Sequence, residues 1–229
     1  QVRDLMIGRI GSGAWKPGEM IPSEFQLASE FGVSQGTVRK ALIELEQQNL
    51  VVRWQGRGTY VAEHSRQRSL FHFFHLVDRD DRKELPTSVV FDQRTKRATR
   101  EETRLLGLGP RATVHSIQRV RHMAGRPVIL ERIVVPAARF KDLKVPVGVP
   151  LEDELYVLYQ RDFGVTIAHA DERLTAAAAG PADAEHLGVA EGSPLLEIVR
   201  IATDVHGAPV ELRISRVDTR DHRYFSRID

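Results

Sequence analysis

The sequence contains no cysteine. That excludes disulfide staples, thiolate zinc sites, iron–sulfur ligation and a thiol nucleophile, and it suits a reducing cytoplasm. No apolar run approaches the roughly 18 residues of a membrane-spanning helix, so no membrane partner is expected. Neither sign of charge dominates: 33 Lys+Arg stand against 31 Asp+Glu, a formal net charge of +2. A nearly balanced average is not a nucleic-acid signature, so such a function has to show in local pattern. The chain also lacks a Gly-rich phosphate loop, a GxSxG elbow and an HExxH pair. What remains is ordinary globular material, 229 residues with 41% apolar and 28% charged side chains, enough for one large domain or two small ones. The chain opens on Gln1 rather than Met, which is compatible with a longer native N-terminus.

Leu5, Met6 and Ile10 recur at helical spacing until Gly11-Ser12-Gly13. Ser23, after Pro22, is a helix N-cap; Leu27, Ala28 and Phe31 supply a buried side, and Gly32 stops the helix. Ser34 begins a third helix with Val38, Ala41, Leu42 and Leu45 on one face. At about 100° per residue, Gly36, Arg39, Lys40 and Ile43 fall on the opposite face. Two helices joined by a short glycine-containing turn form a helix-turn-helix, the second helix being the groove reader. Residues 50–54 then read as a strand, Gln55-Gly56-Arg57-Gly58 as a turn and Thr59-Tyr60-Val61 as a return strand. This hairpin is a wing whose glycines permit close approach to phosphates and whose Arg57 suits a narrow minor groove.

Pro22-Ser23-Glu24, Val33-Ser34, Thr37-Val38-Arg39, Ala41-Leu42 and Gly56-Arg57-Gly58-Thr59-Tyr60-Val61 together resemble the winged helix of the GntR family of bacterial transcription regulators. The resemblance spans residues 1–62 and implies binding to double-stranded operator DNA. Arg39 matches a DNA-contacting arginine of the family, whereas Phe25 and Gln35 stand where the family usually has arginine. An operator unlike the common family one is therefore expected. The candidate DNA-binding set is Ser34, Gln35, Gly36, Thr37, Arg39, Lys40, Arg57 and Gly58. For any single residue, an ordinary solvated helix face is the competing reading.

Residues 63–69 are polar and without apolar periodicity, and read as a linker. Residues 1–68 carry nine Lys+Arg against seven Asp+Glu while the remainder is balanced, which puts the slight positive excess in the DNA-binding half. From residue 70 to 229 a second domain follows. Ser88-Val89-Val90-Phe91 looks extended, and Thr99 with Glu102 has capping-box spacing. Two stretches then resemble each other. Leu106-Gly107-Leu108, the strand through Ile117-Gln118-Arg119-Val120-Arg121 and a Gly125-x-Pro127 turn are echoed by Leu187-Gly188-Val189, the strand through Ile198-Val199-Arg200-Ile201 and Gly207-x-Pro209. Each is a helix end followed by a hairpin, which predicts one antiparallel sheet from two halves, covered by helices such as 151–163 that stop at Gly164. The fold class is α+β. With Gly192-Ser193-Pro194-Leu195, these motifs resemble the effector-binding UTRA domain, of chorismate-lyase-like fold, found in the HutC-type branch of the family.

Arg119 and Arg121 lie two apart on a strand, so both guanidinium groups leave the same face and can grip a carboxylate or phosphate. The resemblance implies that role for them, and a role in holding ligand hydroxyl or amino groups for Glu131 and Glu211, which have matched parity after Pro127 and Pro209. An ion-paired strand face is the alternative. His169 falls near where the family places a small hydroxyl residue, here Ala168, a departure that weighs against a phosphosugar ligand. His72, three residues before His75, either contacts an effector or is buried among aromatics; without a third ligand at suitable spacing, no metal is expected. No cofactor is implied. The expected protein is a cytoplasmic homodimeric repressor, its two recognition helices entering grooves about 34–36 Å apart on a near-palindromic operator. A small anionic metabolite would control it. An enzyme of chorismate-lyase-like fold acting on a small anion is the rival class, and a DNA-bending architectural protein a third that leaves the second domain unused.

Overall fold

The computed structural model describes residues 1–64, 73–152 and 154–227. Its first elements are helices α1 (Val2–Gly11), α2 (Glu24–Phe31) and α3 (Gln35–Gln47) and strands β1 (Val51–Trp54) and β2 (Gly58–Val61). Local chemistry sets the helix ends. Ser23 forms a capping box with Gln26, its hydroxyl accepting the Gln26 N–H at 3.3 Å while its own N–H donates to the Gln26 side chain at 2.9 Å. Gly32 closes α2 in the left-handed region at φ 66°, and Ser34 caps α3 by accepting the Thr37 N–H at 3.2 Å. Val38, Ala41, Leu42 and Leu45 of α3 bury against Leu27 and Ala28 of α2 and against Val2, Met6 and Ile10 of α1. Leu5 does not join them and is 52% exposed: the core stripe of α1 runs at i, i+4 through Val2, Met6 and Ile10, and Leu5 sits about 100° off it. Antiparallel pairing of Val51 with Val61 and Trp54 with Gly58 forms the wing.

The chain continues through β3 (Leu76–Asp78), β4 (Thr87–Arg97), α4 (Arg100–Leu105), β5 (Thr113–Met123), β6 (Arg126–Pro136), α5 (Leu155–Phe163), β7 (Ile167–Ala178), α6 (Pro181–Leu187), β8 (Pro194–Asp204), β9 (Pro209–Val217) and β10 (His222–Tyr224). Six of these strands form one sheet in the order β4-β5-β6-β9-β8-β7. That order is the internal repeat made visible, since α4-β5-β6 and α6-β8-β9 are each a helix and a hairpin and the halves meet where β6 pairs with β9. Thr99 and Glu102 make the expected capping box at α4. The buried Glu102 carboxylate also accepts from Lys96 and Arg132, both at 2.7 Å, and so pins α4 to β4 and β6.

The chain divides into two compact units. One gathers Gln1–Ser65, Leu155–His169 and Thr203–Ala208; the other gathers Arg66–Glu154, Ala170–Ala202 and Pro209–Asp229. The helix expected over 151–163 begins only at Leu155, and its compact unit is that of the winged helix rather than that of the sheet it was expected to cover. One amide side chain contributes to this. Gln160 accepts the His64 N–H at 2.8 Å and donates to the Ala62 carbonyl at 3.4 Å, while the buried His64 ring accepts the Ile167 N–H at 3.2 Å. Backbone groups at 62–64 are thus enclosed and satisfied, as buried amides must be, where composition alone reads the start of a solvated linker. Residues 65–72, His72 among them, lie outside the described residues.

Candidate functional site

Gln35, Gly36, Thr37, Arg39 and Lys40 are exposed on α3. Ser34 bonds the Thr37 hydroxyl at 2.9 Å besides capping the helix, so its side chain shapes the first turn. Arg39 donates to Glu24 at 2.9–3.0 Å, and the other Glu24 oxygen accepts from Arg53 of β1 at 2.9 Å. Glu24 therefore ties the start of α2 to the recognition helix and to the wing, and it sets where the Arg39 guanidinium waits. Sequence reasoning missed this role, although Glu24 belongs to the motif that carried the family resemblance. Exposed ion pairs are worth about 0–1 kcal/mol, so Arg39 can leave Glu24 at small cost. On the wing, the Trp54 and Tyr60 rings lie 5.0 Å apart and the Tyr60 hydroxyl donates to the Arg57 carbonyl at 3.2 Å. These contacts brace a turn whose Arg57 side chain points to solvent and whose Gly58 adopts φ 114°. Phe25, where an arginine is usual in the family, is 69% exposed near the start of α2.

The second cluster stands on one face of the large sheet. Ser88 is directly opposite Arg121, Arg119 opposite Glu131, and Glu131 opposite Ser215, and directly opposed residues share a face. Arg213 and Glu211 continue that face along β9 by their period of two. The side chains form Arg–Glu pairs: Arg119–Glu131 at 2.6 Å, Arg121–Glu154 at 2.6 Å, Arg200–Glu172 at 2.7 Å and Arg213–Glu211 at 2.9 Å. Burial by itself would raise the Glu131 carboxyl, yet the guanidinium groups of Arg119, Arg213 and Arg121 hold it well below the ordinary carboxylate range. Burial pulls Arg121 down to about 10, against the opposing pull of Glu154, which leaves it cationic at neutral pH.

A cavity of about 30 Å³ opens beside these pairs, lined by Arg121, Glu131, Glu172, Arg200, Arg213 and Tyr224 together with Phe73, Phe74 and His75. It has room for a water or two, so a larger guest has to displace side chains. The Arg121 guanidinium stacks 5.0 Å from the Phe74 ring, and Tyr224 donates its hydroxyl to Glu172. Several buried donors have no hydrogen-bond partner among the described residues: Nη1 and Nη2 of Arg119, Nε of Arg121 and the Ser88 hydroxyl.

Arg121 and Glu131 thus line the cavity as a pair, and Arg119 lies fully buried beneath them. Glu211 shares their face but is enclosed by Arg213 and does not reach the cavity wall. His169 does not line this cavity: it is exposed, and alternation along β7 puts Glu172 on the cavity side and His169 on the opposite face. His75 lines the cavity from non-helical chain ahead of β3, its ring 5.3 Å from Tyr224. Sequence reasoning missed Ser88, Glu154, Glu172, Arg200 and Arg213. The repeat held a signal for two of them, since aligning Ile117-Gln118-Arg119 with Ile198-Val199-Arg200 makes Arg200 the counterpart of Arg119, and aligning the turns makes Arg213 the counterpart of Glu131. Among the described residues no group of three or more acidic or histidine side chains is placed to hold a metal ion, and no helix is long and apolar enough to cross a membrane.

A winged helix followed by an internally repeated antiparallel sheet with a charged cavity defines a DNA-binding regulator with a sensory domain. The chain belongs to the gntR family of bacterial regulatory proteins: residues 1–61 match that family and residues 81–223 match the UTRA domain. It is 27% identical over 228 residues to the HTH-type transcriptional regulator SmoD of Agrobacterium fabrum, covering 100% of this chain and 94% of that one. It is 29% identical over 212 residues to the HTH-type transcriptional repressor NagR of Bacillus subtilis, covering 92% and 86%. The solved ligand-binding domain of a regulator assigned to the GntR family from Bordetella bronchiseptica superposes with a TM-score of 0.62 at 30% identity, over 68% of this chain and 96% of that one. The family and these relatives are transcription regulators rather than enzymes. They act by binding operator DNA through the winged helix and a small-molecule effector through the UTRA domain.

Proposed function

We propose that the protein is a homodimeric repressor whose residues 1–62 hold a near-palindromic operator and whose residues 70–229 dimerise and bind a small anionic metabolite that releases the DNA. The observation that carries the effector class is the set of unpartnered buried donors on Arg119, Arg121 and Ser88. A buried donor without an acceptor costs about 1–3 kcal/mol, and more when charged, so an anion that accepts from those groups recovers that cost. Carboxylate and phosphate groups match a pair of guanidinium forks. Glu131 and Glu172 at the cavity wall accept hydroxyl or amino groups from the remainder of the ligand. The exposed face of α3 and the Arg57 wing read the operator, Arg39 leaving Glu24 to do so. Repressor polarity is supported by the relative NagR, a repressor by name.

The test begins with native mass spectrometry of protein purified from its own cytosol, which weighs both the oligomer and any retained metabolite. Operator sites selected from random DNA are then titrated with that metabolite. A dimer that releases a two-fold symmetric site on adding an anionic compound meets the proposal. A monomer, or a ligand that tightens DNA binding, refutes it.

A further inference from the structure

Three of the acidic partners around the cavity, Glu131, Glu211 and Glu172, sit within strands of the sheet. The backbone of a carboxylate on a paired strand is held by the ladder, so its side chain moves only by changing rotamer. Glu154 is different. It lies outside any helix or strand, immediately before α5, and its side chain is 12% exposed. Its two oxygens divide between two guanidinium groups, Oε1 accepting from Arg121 Nη2 at 2.6 Å and Oε2 standing 3.9 Å from Arg119 Nη1. One oxygen to each fork is how a free carboxylate or phosphate would sit on this arginine pair. Ser88, directly opposite Arg121 and with an unpartnered hydroxyl, holds the same stretch of chain through its carbonyl, which accepts the Leu151 N–H at 2.8 Å.

Resting on the reading of Arg119 and Arg121 as the effector's anion seat, we propose that Glu154 occupies that seat in the effector-free protein and is expelled by the effector's anionic group. Glu154 is then a built-in competitor. It sets the effector threshold, because every incoming anion must displace a carboxylate already tethered at high local concentration. It also supplies a route for the signal along the chain. Leu155 follows directly as the first residue of α5, and six residues beyond Glu154 the Gln160 side chain holds the backbone at Ala62 and His64, just past the end of wing strand β2. Releasing Glu154 frees the stretch of chain that runs directly into that helix, and the differential contact between bound and free states is what a ligand needs to shift an equilibrium.

Inorganic phosphate is the probe, titrated calorimetrically into wild type, Glu154→Gln and Arg121→Ala at constant ionic strength set with chloride. The expected result is phosphate binding at least tenfold tighter in Glu154→Gln than in wild type, and lost in Arg121→Ala. Equal affinity in Glu154→Gln and wild type, with loss in Arg121→Ala, overturns the competitor role and leaves the anion seat standing. Binding absent from all three proteins, or indifferent to Arg121→Ala, removes the seat and the proposal with it. A second measurement needs no variant: hydrogen exchange of wild type should accelerate across amides 154–163 when phosphate is added. Unchanged or slower exchange there refutes the expulsion of Glu154.

Discussion

Replacing Glu131 with glutamine keeps the side chain's shape and removes its charge, at the centre of the buried ion-pair face. Glu131 is 4% exposed and accepts from Arg119 at 2.6 Å and from the Ser215 hydroxyl at 2.9 Å, with Arg213 at 3.8 Å. The variant leaves Arg119 fully buried without its hydrogen-bonded carboxylate and with Glu154 standing 3.9 Å away. Breaking a buried pair from one side costs about 3–5 kcal/mol, because the remaining charge stays desolvated. With a urea slope of roughly 2 kcal/mol per molar, the sheet's unfolding midpoint should fall by about 2 M. Both tryptophans, Trp15 and Trp54, belong to the compact unit of the winged helix, so their emission does not report on this loss. Hydrogen exchange of the β5 and β6 amides under urea reads it directly. The pH dependence has a definite sign. The folded-state carboxyl is depressed below its ordinary value of 4.5, so its contribution is complete above that value and is lost as the pH falls through the folded value. The gap between wild type and Glu131→Gln should stay level from about pH 8 to about pH 5.5 and narrow steadily on further acidification. A gap below about 0.5 kcal/mol at neutral pH, or one that widens in acid, would refute the reasoning.

Arg39→Ala should weaken operator binding by about 1–3 kcal/mol at matched salt without altering thermal unfolding; unchanged affinity removes Arg39 from the DNA interface. Gln35→Arg should shift the consensus selected from random DNA from adenine towards guanine at the base facing residue 35, since glutamine pairs with adenine and arginine with guanine. Identical consensus sequences would show that this position does not read bases. Arg121→Ala should cost about 1.5–3 kcal/mol in affinity for the metabolite identified by native mass spectrometry, with operator affinity in its absence unaltered. Loss of operator binding instead would place this strand in the DNA-binding machinery.

The amino-acid sequence by itself determined the parts of this protein whose causes act over three or four residues. Ser23 with Gln26, Gly32, Ser34 and Thr99 with Glu102 set helix ends through hydrogen bonds and backbone freedom within a single turn. The helical stripes of α2 and α3, the glycines of the wing and the repeated helix-hairpin unit were legible for the same reason, and with them the winged helix and the α+β sheet. Tertiary structure alone decided which charges meet. Arg119 finds Glu131 across 12 residues, Arg121 finds Glu154 across 33 and Arg200 finds Glu172 across 28, each through a strand register or chain path that no local pattern encodes. His169 shows how narrow the margin is, because alternation along β7 turns it to solvent while Glu172, three residues on and so of opposite parity, lines the cavity. Gln160 likewise draws α5 into the compact unit of the winged helix through hydrogen bonds spanning 96 and 98 residues. Short-range chemistry is written in neighbouring letters; a buried ion pair exists only once the sheet has brought distant letters side by side and excluded the water between them.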